Sequence, residues 1–314
     1  MCDHDHLNVL ELFSGIGGMH YALQASGIPG VVRAAADINT TANAIYRHNH
    51  PDTKLFSNNI QKFKAKDLLK LDVNTILMSP PCQPFTRVGN KLDVADVRSN
   101  ALVHICHILP DLHSIQYILM ENVKGFEISR ARDLYIDALK RTGFEFQEFL
   151  LSPTEIGVPN SRLRYYCLAR KSKPFTFKAD TILERLPNTM IESKKCKTTI
   201  EDVLQDVRPP KGKDYAPYLL SDDILLKRLR VLDIKYPSSR TTNCFTKAYT
   251  HYAEGTGSIF CPVDEKQANK VFGTIKNSTL LSEEQLITES AVGEVEMNLV
   301  NNKKRQTNRT QNRN

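Results

Sequence analysis

The sequence predicts a doubly wound α/β domain followed by a smaller second region. Three observations lead there. Apolar runs of strand length alternate with helical stretches from about residue 8 to residue 169. Gly and Pro stand at the ends of those stretches. From about Lys171 the periodicity weakens into basic, Pro-containing segments. Strands alternating with helices imply a parallel sheet, with ligands at the carboxyl ends of its strands near the topological switch point.

Asn8–Phe13 is a short apolar run that ends in Ser14-Gly15-Ile16-Gly17-Gly18. A helix follows to about Ser26, closed by Gly27 and Pro29. Val31–Ile38 reads as the next strand, and Thr40–His48 as a helix capped by Asn39 or Thr40. Val73–Ser79 is a buried strand that runs into Pro80-Pro81. Ser99–Leu109 is helical and is stopped by Pro110. Gln116–Glu121 is a strand, and Arg132–Arg141 a helix ended by Gly143. Phe144–Leu151 and Arg164–Ala169 complete the strands. The basic stretches Lys171–Pro174, Lys194–Lys197 and Pro209–Lys213 mark the second region, and no internal repeat occurs. From about Ser290 the composition turns to Asn, Lys, Arg, Gln and Thr, as in a disordered tail.

Composition narrows the class. The chain has 314 residues, 41% hydrophobic and 25% charged, an ordinary globular mix that excludes disorder throughout. No apolar run approaches the ~20 residues of a membrane-spanning helix. Met1–His6 has neither a basic segment nor an apolar one, so no signal peptide is expected. The seven cysteines form no Cys-x-x-Cys pair and no zinc spacing, which predicts reduced thiols and no metal. Of the net charge of +7, the tail from residue 299 carries +5 and the body +2. A body so mildly basic fits nucleic-acid binding without arguing for it.

Four motifs carry chemistry. Phe13, Ser14, Gly15, Ile16, Gly17 and Gly18 lie between a strand and a helix, where glycines admit a ligand to the backbone and the helix start offers N–H groups. A pyrophosphate fingerprint would need Gly where His20 stands. Asp37, with Ile38, ends the second strand, where a carboxylate accepts hydrogen bonds from ribose hydroxyls. These features suggest an adenosyl ligand; a tight turn and a surface Asp explain them equally well. The second motif is Ser79-Pro80-Pro81-Cys82-Gln83-Pro84-Phe85-Thr86-Arg87, a loop stiffened by three prolines that would hold a thiol rigidly at the ligand edge. Glu121-Asn122-Val123 places a carboxyl just past a strand at that same edge, or caps a helix. Arg162 and Arg164 would share one face of a strand, as an anion clamp or an edge-strand charge pair.

Taken in order as FSGIGG, PPCQPFTR, ENVKGFE and NSRLR, these motifs resemble the cytosine-5 methyltransferase family from about residue 8 to about residue 288. The stretch Asn243-Cys244-Phe245-Thr246-Lys247 is similar to that of its tRNA-aspartate branch. The resemblance implies a Rossmann-like S-adenosylmethionine-dependent methyltransferase sheet over residues 1–172 and a target-recognition region over 173–288. It implies that Cys82, as thiolate, attacks C6 of a flipped-out cytosine, while Glu121 holds N3 and Arg162 and Arg164 orient Glu121 and contact the base. Phe13 to Gly18, Asp37, Ile38, Asn59, Ile60 and Pro80 would hold the cofactor. Gln83, Thr86, Arg87, Lys91, Cys244, Thr246 and Lys247 would meet the nucleic acid. The expected partner is tRNA, with DNA as the alternative, no membrane, and a monomer assumed. Missing targeting signals imply a cytoplasmic location and, secondarily, a nuclear one.

The family pattern continues into a Gly-Asn-Ser motif and a last helix that closes the cofactor pocket. Here motif agreement stops near Thr288, and residues 289–314 read as a divergent tail without Gly-Asn-Ser. Leaving several hundred Å2 of apolar sheet uncovered would cost roughly 10 kcal/mol at ~25 cal/mol per Å2. Weak cofactor binding, poor solubility and a nucleic-acid-binding form without activity are the corresponding expectations.

Overall fold

In the computed structural model of the chain, the described residues are 6–81, 100–172, 174–177, 179–187, 198–204, 219–246, 248–249, 251–252 and 254–278. The chain divides into two compact units, Met1–Leu151 with Leu163–Met190, and Ser152–Arg162 with Ile191–Asn314.

The first unit is built on a sheet of seven strands among the described residues. These are β1 (Leu7–Leu12), β2 (Gly30–Ala36), β3 (Lys54–Phe56), β4 (Thr75–Met78), β5 (Tyr117–Val123), β6 (Glu145–Leu151) and β7 (Arg164–Arg170), in the order β3-β2-β1-β4-β5-β7-β6. Helices α1 (Gly18–Ser26), α2 (Thr40–Asn49), α3 (Ala65–Leu69), α4 (Asn100–Ile108) and α5 (Arg130–Arg141) accompany it. The order proceeds outward from β1 through β2 to β3, then reverses to β4 on the other side of β1. The switch point therefore lies between β1 and β4, where a doubly wound sheet opens its ligand crevice.

One strand departs from the all-parallel expectation. β7 pairs antiparallel with both β5 and β6. No helix of the first unit crosses over between β6 and β7, so the chain returns in the opposite sense and inserts between its neighbours.

Strand alternation sorts the core into two layers. Leu10, Leu12, Ile76, Met78, Ile118 and Met120 pack with Ile105 and Leu109 on the α4 side and Tyr135 and Leu139 on α5. Val9, Val32 and Leu77 pack with Leu23 of α1 on the other face. Glu11, next to the carboxyl end of β1, is 1% exposed and shares the parity of Val9, so a carboxyl is buried on the α1 face.

Helix α5 is capped by Ser129, whose Oγ accepts the Arg132 N–H at 3.1 Å. A buried polar network fixes it to the sheet: Arg132 Nε donates to Glu148 Oε1 at 2.8 Å, and the Tyr165 hydroxyl donates to the same oxygen at 2.7 Å. Removing one member of such a buried pair strands the other. Glu148→Ala is expected to cost about 3 kcal/mol in urea unfolding. A midpoint unchanged from wild type would contradict it.

The units do not divide at residue 172. Gln147 stitches the segment after β7 onto β6, its Nε2 donating to Thr181 O at 3.0 Å and its Oε1 accepting from Ala179 N at 2.6 Å. Leu183 adds backbone bonds with Glu148 and Leu150. In the second unit Ser161 donates its N–H to Thr242 O and Thr242 donates to Pro159 O, which draws residues 152–162 out of the first half. That unit contains α6 (Ile200–Val203), α7 (Asp222–Arg228), α8 (Glu265–Ser278) and the short parallel pair β8 (Ile234–Lys235) and β9 (Ile259–Phe260). Leu225, Leu229, Tyr236, Cys261, Ala268 and Phe272 form its core. Among the described residues the cysteines are free, no cluster suits a metal ion, and no helix is long and apolar enough to cross a membrane.

Candidate active site

The glycine-rich turn lies at the carboxyl end of β1, against the switch point. Phe13 and Gly15 adopt left-handed backbone at φ 55° and 54°, and Gly17 at φ 90°. A Cβ on Gly17 would stand 2.7 Å from His50 Nε2, so the turn requires glycine there for both conformation and space. Asp37 holds the turn from the end of β2: Oδ2 accepts the Gly15 N–H at 2.8 Å and Oδ1 accepts the Asn39 N–H at 2.8 Å. Asn39 is the cap of α2, its Oδ1 accepting from Thr41 N and Ala42 N. Ser14 N–H donates to Ala36 O.

Sequence reasoning missed Asn43 and its part in this assembly. Fully buried on α2, it donates from Nδ2 to Asp37 O at 2.9 Å and to Ser57 Oγ at 3.1 Å. The ends of β2 and β3 are thereby tied together. Asn59 caps the turn Ile60–Lys62 after β3, and Ile60 and Pro80 are buried. Ile16 and Ile38 are exposed beside the turn's glycines and Asp37.

One expectation is refined here. The first turn of α1 has a carboxylate beneath it as well as a ligand edge above it: the backbone of Met19 and His20 faces Glu11 and favours its charged form. A strand glutamate underneath the helix start thus faces its first turn.

The remaining features fit an adenosyl ligand. Ser14 Oγ is buried and meets no hydrogen-bond partner among the described residues. It sits in a turn of left-handed backbone, beside a carboxylate whose oxygens retain acceptor capacity for hydroxyls.

Glu121 lies within β5 and not beyond it, since the strand runs two residues further than expected, to Val123. Arg164 opens β7 opposite Val123, one diagonal position from Glu121 on the same face. Its Nε is 3.3 Å from Glu121 Oε1, with both side chains largely shielded. A planar cation thus holds the carboxyl group in place. Asn122, alternating to the opposite face, is buried and accepts the Val123 N–H.

Arg162 does not share the strand face of Arg164. It precedes β7 and belongs to the second unit. There its Nη1 donates to Cys244 Sγ at 2.8 Å, and Asn160 Nδ2 donates to Thr242 Oγ1 at 3.0 Å. Thr246 N–H donates to Thr256 O. Phe245 stacks edge-on against Tyr249, and both rings close over Gly257. Cys82, Gln83, Thr86, Arg87, Lys91 and Lys247 lie outside the described residues.

Comparison with known proteins matches this arrangement to one family. The model of the C-5 cytosine-specific DNA methylase family matches residues 7–312, past Thr288 where motif agreement ends. A tRNA (cytosine(38)-C(5))-methyltransferase of Spodoptera frugiperda is 47% identical over 88% of this chain and 80% of its own. The Homo sapiens protein of the same name is 39% identical over 90% of this chain and 84% of its own. A crystal structure of a mutant of Spodoptera frugiperda DNMT2 superposes with TM-score 0.78 at 43% identity, covering 94% of this chain and 85% of that one. This chain belongs to the C-5 cytosine methyltransferase family.

Proposed function

We propose that this protein transfers a methyl group from S-adenosylmethionine to carbon 5 of a cytosine in the anticodon loop of a tRNA, through a covalent bond between Cys82 and C6. The reading rests above all on Glu121 clamped by Arg164 at the carboxyl end of β5, within a chain whose relatives carry the name of tRNA cytosine-38 methyltransferases. When bound, S-adenosylmethionine supplies an electrophilic methyl group. The turn Phe13–Gly18, Asp37, Ile38, Asn59, Ile60 and Pro80 are the residues assigned to hold it.

The chain's own groups act on the base. The Cys82 thiolate adds its electron pair to C6, and the displaced pair moves through C5 and C4 toward N3. Glu121, carrying a proton, donates a hydrogen bond at N3, where that negative charge accumulates. Arg164 keeps the Glu121 carboxyl oriented and is assigned with it to the base. Once C5 has gained its methyl group, a base takes the C5 proton, the C5–C6 double bond re-forms, and the Cys82–C6 bond breaks. Arg162, Cys244, Thr246 and Lys247 are assigned to the nucleic acid in the second unit, and Gln83, Thr86, Arg87 and Lys91 to it from the loop after Cys82.

Transfer from labelled S-adenosylmethionine to unmodified tRNA, in competition with duplex DNA, tests the substrate. Label in 5-methylcytosine of tRNA, undiminished by excess duplex, is the expected result. Label only in DNA would replace this reading with DNA methylation. Tight tRNA binding without label would make the chain a binding protein.

Glu121→Ala is expected to lower kcat by ~10^2 to 10^4, the range for a proton-donating side chain, with the tRNA KM nearly constant. A loss confined to KM would show that Glu121 only binds.

A further inference from the structure

A buried array of ionisable side chains lies directly beneath the glycine-rich turn. Glu11 of β1 is almost wholly enclosed. Its strand neighbours in register are Ala35 and Leu77, which offer it no polar contact. The Tyr46 hydroxyl of α2 donates to its Oε2 at 2.8 Å, and the backbone of Met19 and His20, in the first turn of α1, faces the carboxylate and favours its charged form. The Tyr46 oxygen is 2.9 Å from His20 Nδ1. With the Tyr46 proton directed at Glu11, His20 Nδ1–H is the donor of that bond. The His20 ring stacks on His50, centroids 3.7 Å apart, and Tyr21 and Tyr46 lie against His50 at 4.7 and 4.9 Å. His50 in turn abuts Gly17. Asp37, at the end of β2, is the other acid that Glu11 senses.

We propose that Glu11 is a positioning residue for the cofactor site, and that its ionised form holds the turn Gly15–Gly18 in the geometry that binds S-adenosylmethionine. This rests on the cofactor reading above. The reason is donor bookkeeping. An ionised carboxylate accepts from the Tyr46 hydroxyl and is favoured by the N–H groups that face it. A protonated one gives up acceptor capacity and brings a further proton among those donors. The first turn of α1 then loses part of its cap, and Gly17 and Gly18, which begin that helix, lose their anchor. The array is poised for this change. Burial pushes the Glu11 carboxyl up to about 7, against the Tyr46 hydrogen bond and the backbone of Met19 and His20. Burial pushes His20 down to about 4 and also lowers His50, which favours the neutral form of both rings. Burial and the neighbouring Glu11 push the Tyr46 hydroxyl up, so it stays a donor.

The fold and the site respond to pH with opposite sign. The Glu11 value is raised above that of an unfolded carboxyl, so its contribution to stability is fully present below about 4.5 and is lost as pH rises through about 7. Cofactor affinity rises over the same upper interval. A residue important only for folding would move both the same way.

The test is calorimetric binding of S-adenosylhomocysteine at about pH 8 and about pH 6, for wild type and Glu11→Gln, with thermal unfolding at both. Relative to Glu11→Gln, wild-type affinity is expected to fall about tenfold at the lower pH, the drop for one proton taken up at about 7. The wild-type melting temperature, relative to the variant, is expected to be higher at the lower pH. Tyr46→Phe removes one hydrogen bond to the carboxylate and should move the binding midpoint to higher pH, which serves if Glu11→Gln does not fold. Parallel pH profiles for wild type and Glu11→Gln, or an unmoved midpoint in Tyr46→Phe, would overturn the proposal. No binding by wild type at either pH would overturn the cofactor reading and the proposal with it.

Discussion

Cys82→Ala is expected to abolish methyl transfer, lowering the rate by at least ~10^3-fold, the scale on which loss of a covalent nucleophile is felt. The variant should retain S-adenosylhomocysteine affinity and tRNA affinity. Without the thiolate no electron pair enters C6, and C5 of cytosine stays too weak a nucleophile to accept a methyl group. Glu121 and Arg164 would still receive the base, so binding and chemistry separate at this one residue. Transfer assays with binding measured in parallel decide it. A Cys82→Ala protein that methylates at a tenth of the wild-type rate would exclude the covalent route.

Gly17→Ala is expected to destabilise the first unit by roughly 3 kcal/mol and to weaken the cofactor by ~10-fold or more. Two costs combine. The residue holds φ 90°, which L side chains rarely adopt, and its Cβ would stand 2.7 Å from His50 Nε2 and 3.2 Å from Tyr46 Cε2. The rings cannot retreat freely, because His50 is stacked on His20 and Tyr46 is bonded to Glu11. Adding His50→Ala removes the closer collision but not the backbone strain or the Tyr46 contact, so a double-mutant cycle should show coupling between the two positions. Gly18, where a Cβ would meet nothing within 4 Å, is the control for stability. Gly17→Ala melting with wild type would contradict the account of the turn.

Much of this was legible in the residues, and for physical reasons. Strand after strand reads as a continuous apolar run because both faces of the sheet are covered, as at Val9, Leu10 and Leu12 of β1. Gly27 at the end of α1 and Asn39 at the start of α2 do what their residue types predict. The sense of β7 was not legible, since apolar alternation carries no direction. Nor were the borders of the units: the hydrogen bonds of Gln147 to Ala179 and Thr181 are long-range, and no local pattern announces them. Arg162 and Arg164 read as one strand face because a period of two was assumed to extend past the strand's true start at Arg164. The buried array under the turn was missed, although one signal existed. Glu11 interrupts the apolar run Val9–Leu12, and a carboxyl at a core parity needs partners. Those partners, Tyr46 and the first turn of α1, come from other elements.

The measurement that tests the central claim most directly is a covalent trap. A tRNA anticodon stem-loop carrying 5-fluorocytidine at the cytosine named for the relatives, position 38, is incubated with the protein and S-adenosylmethionine. Fluorine at C5 leaves no proton to remove, so the Cys82–C6 bond cannot break after methyl transfer. The account predicts a denaturation-resistant complex of protein and RNA that requires S-adenosylmethionine and is absent in Cys82→Ala. A complex that persists in Cys82→Ala, or one formed by fluorinated duplex DNA and not by the RNA, would contradict it.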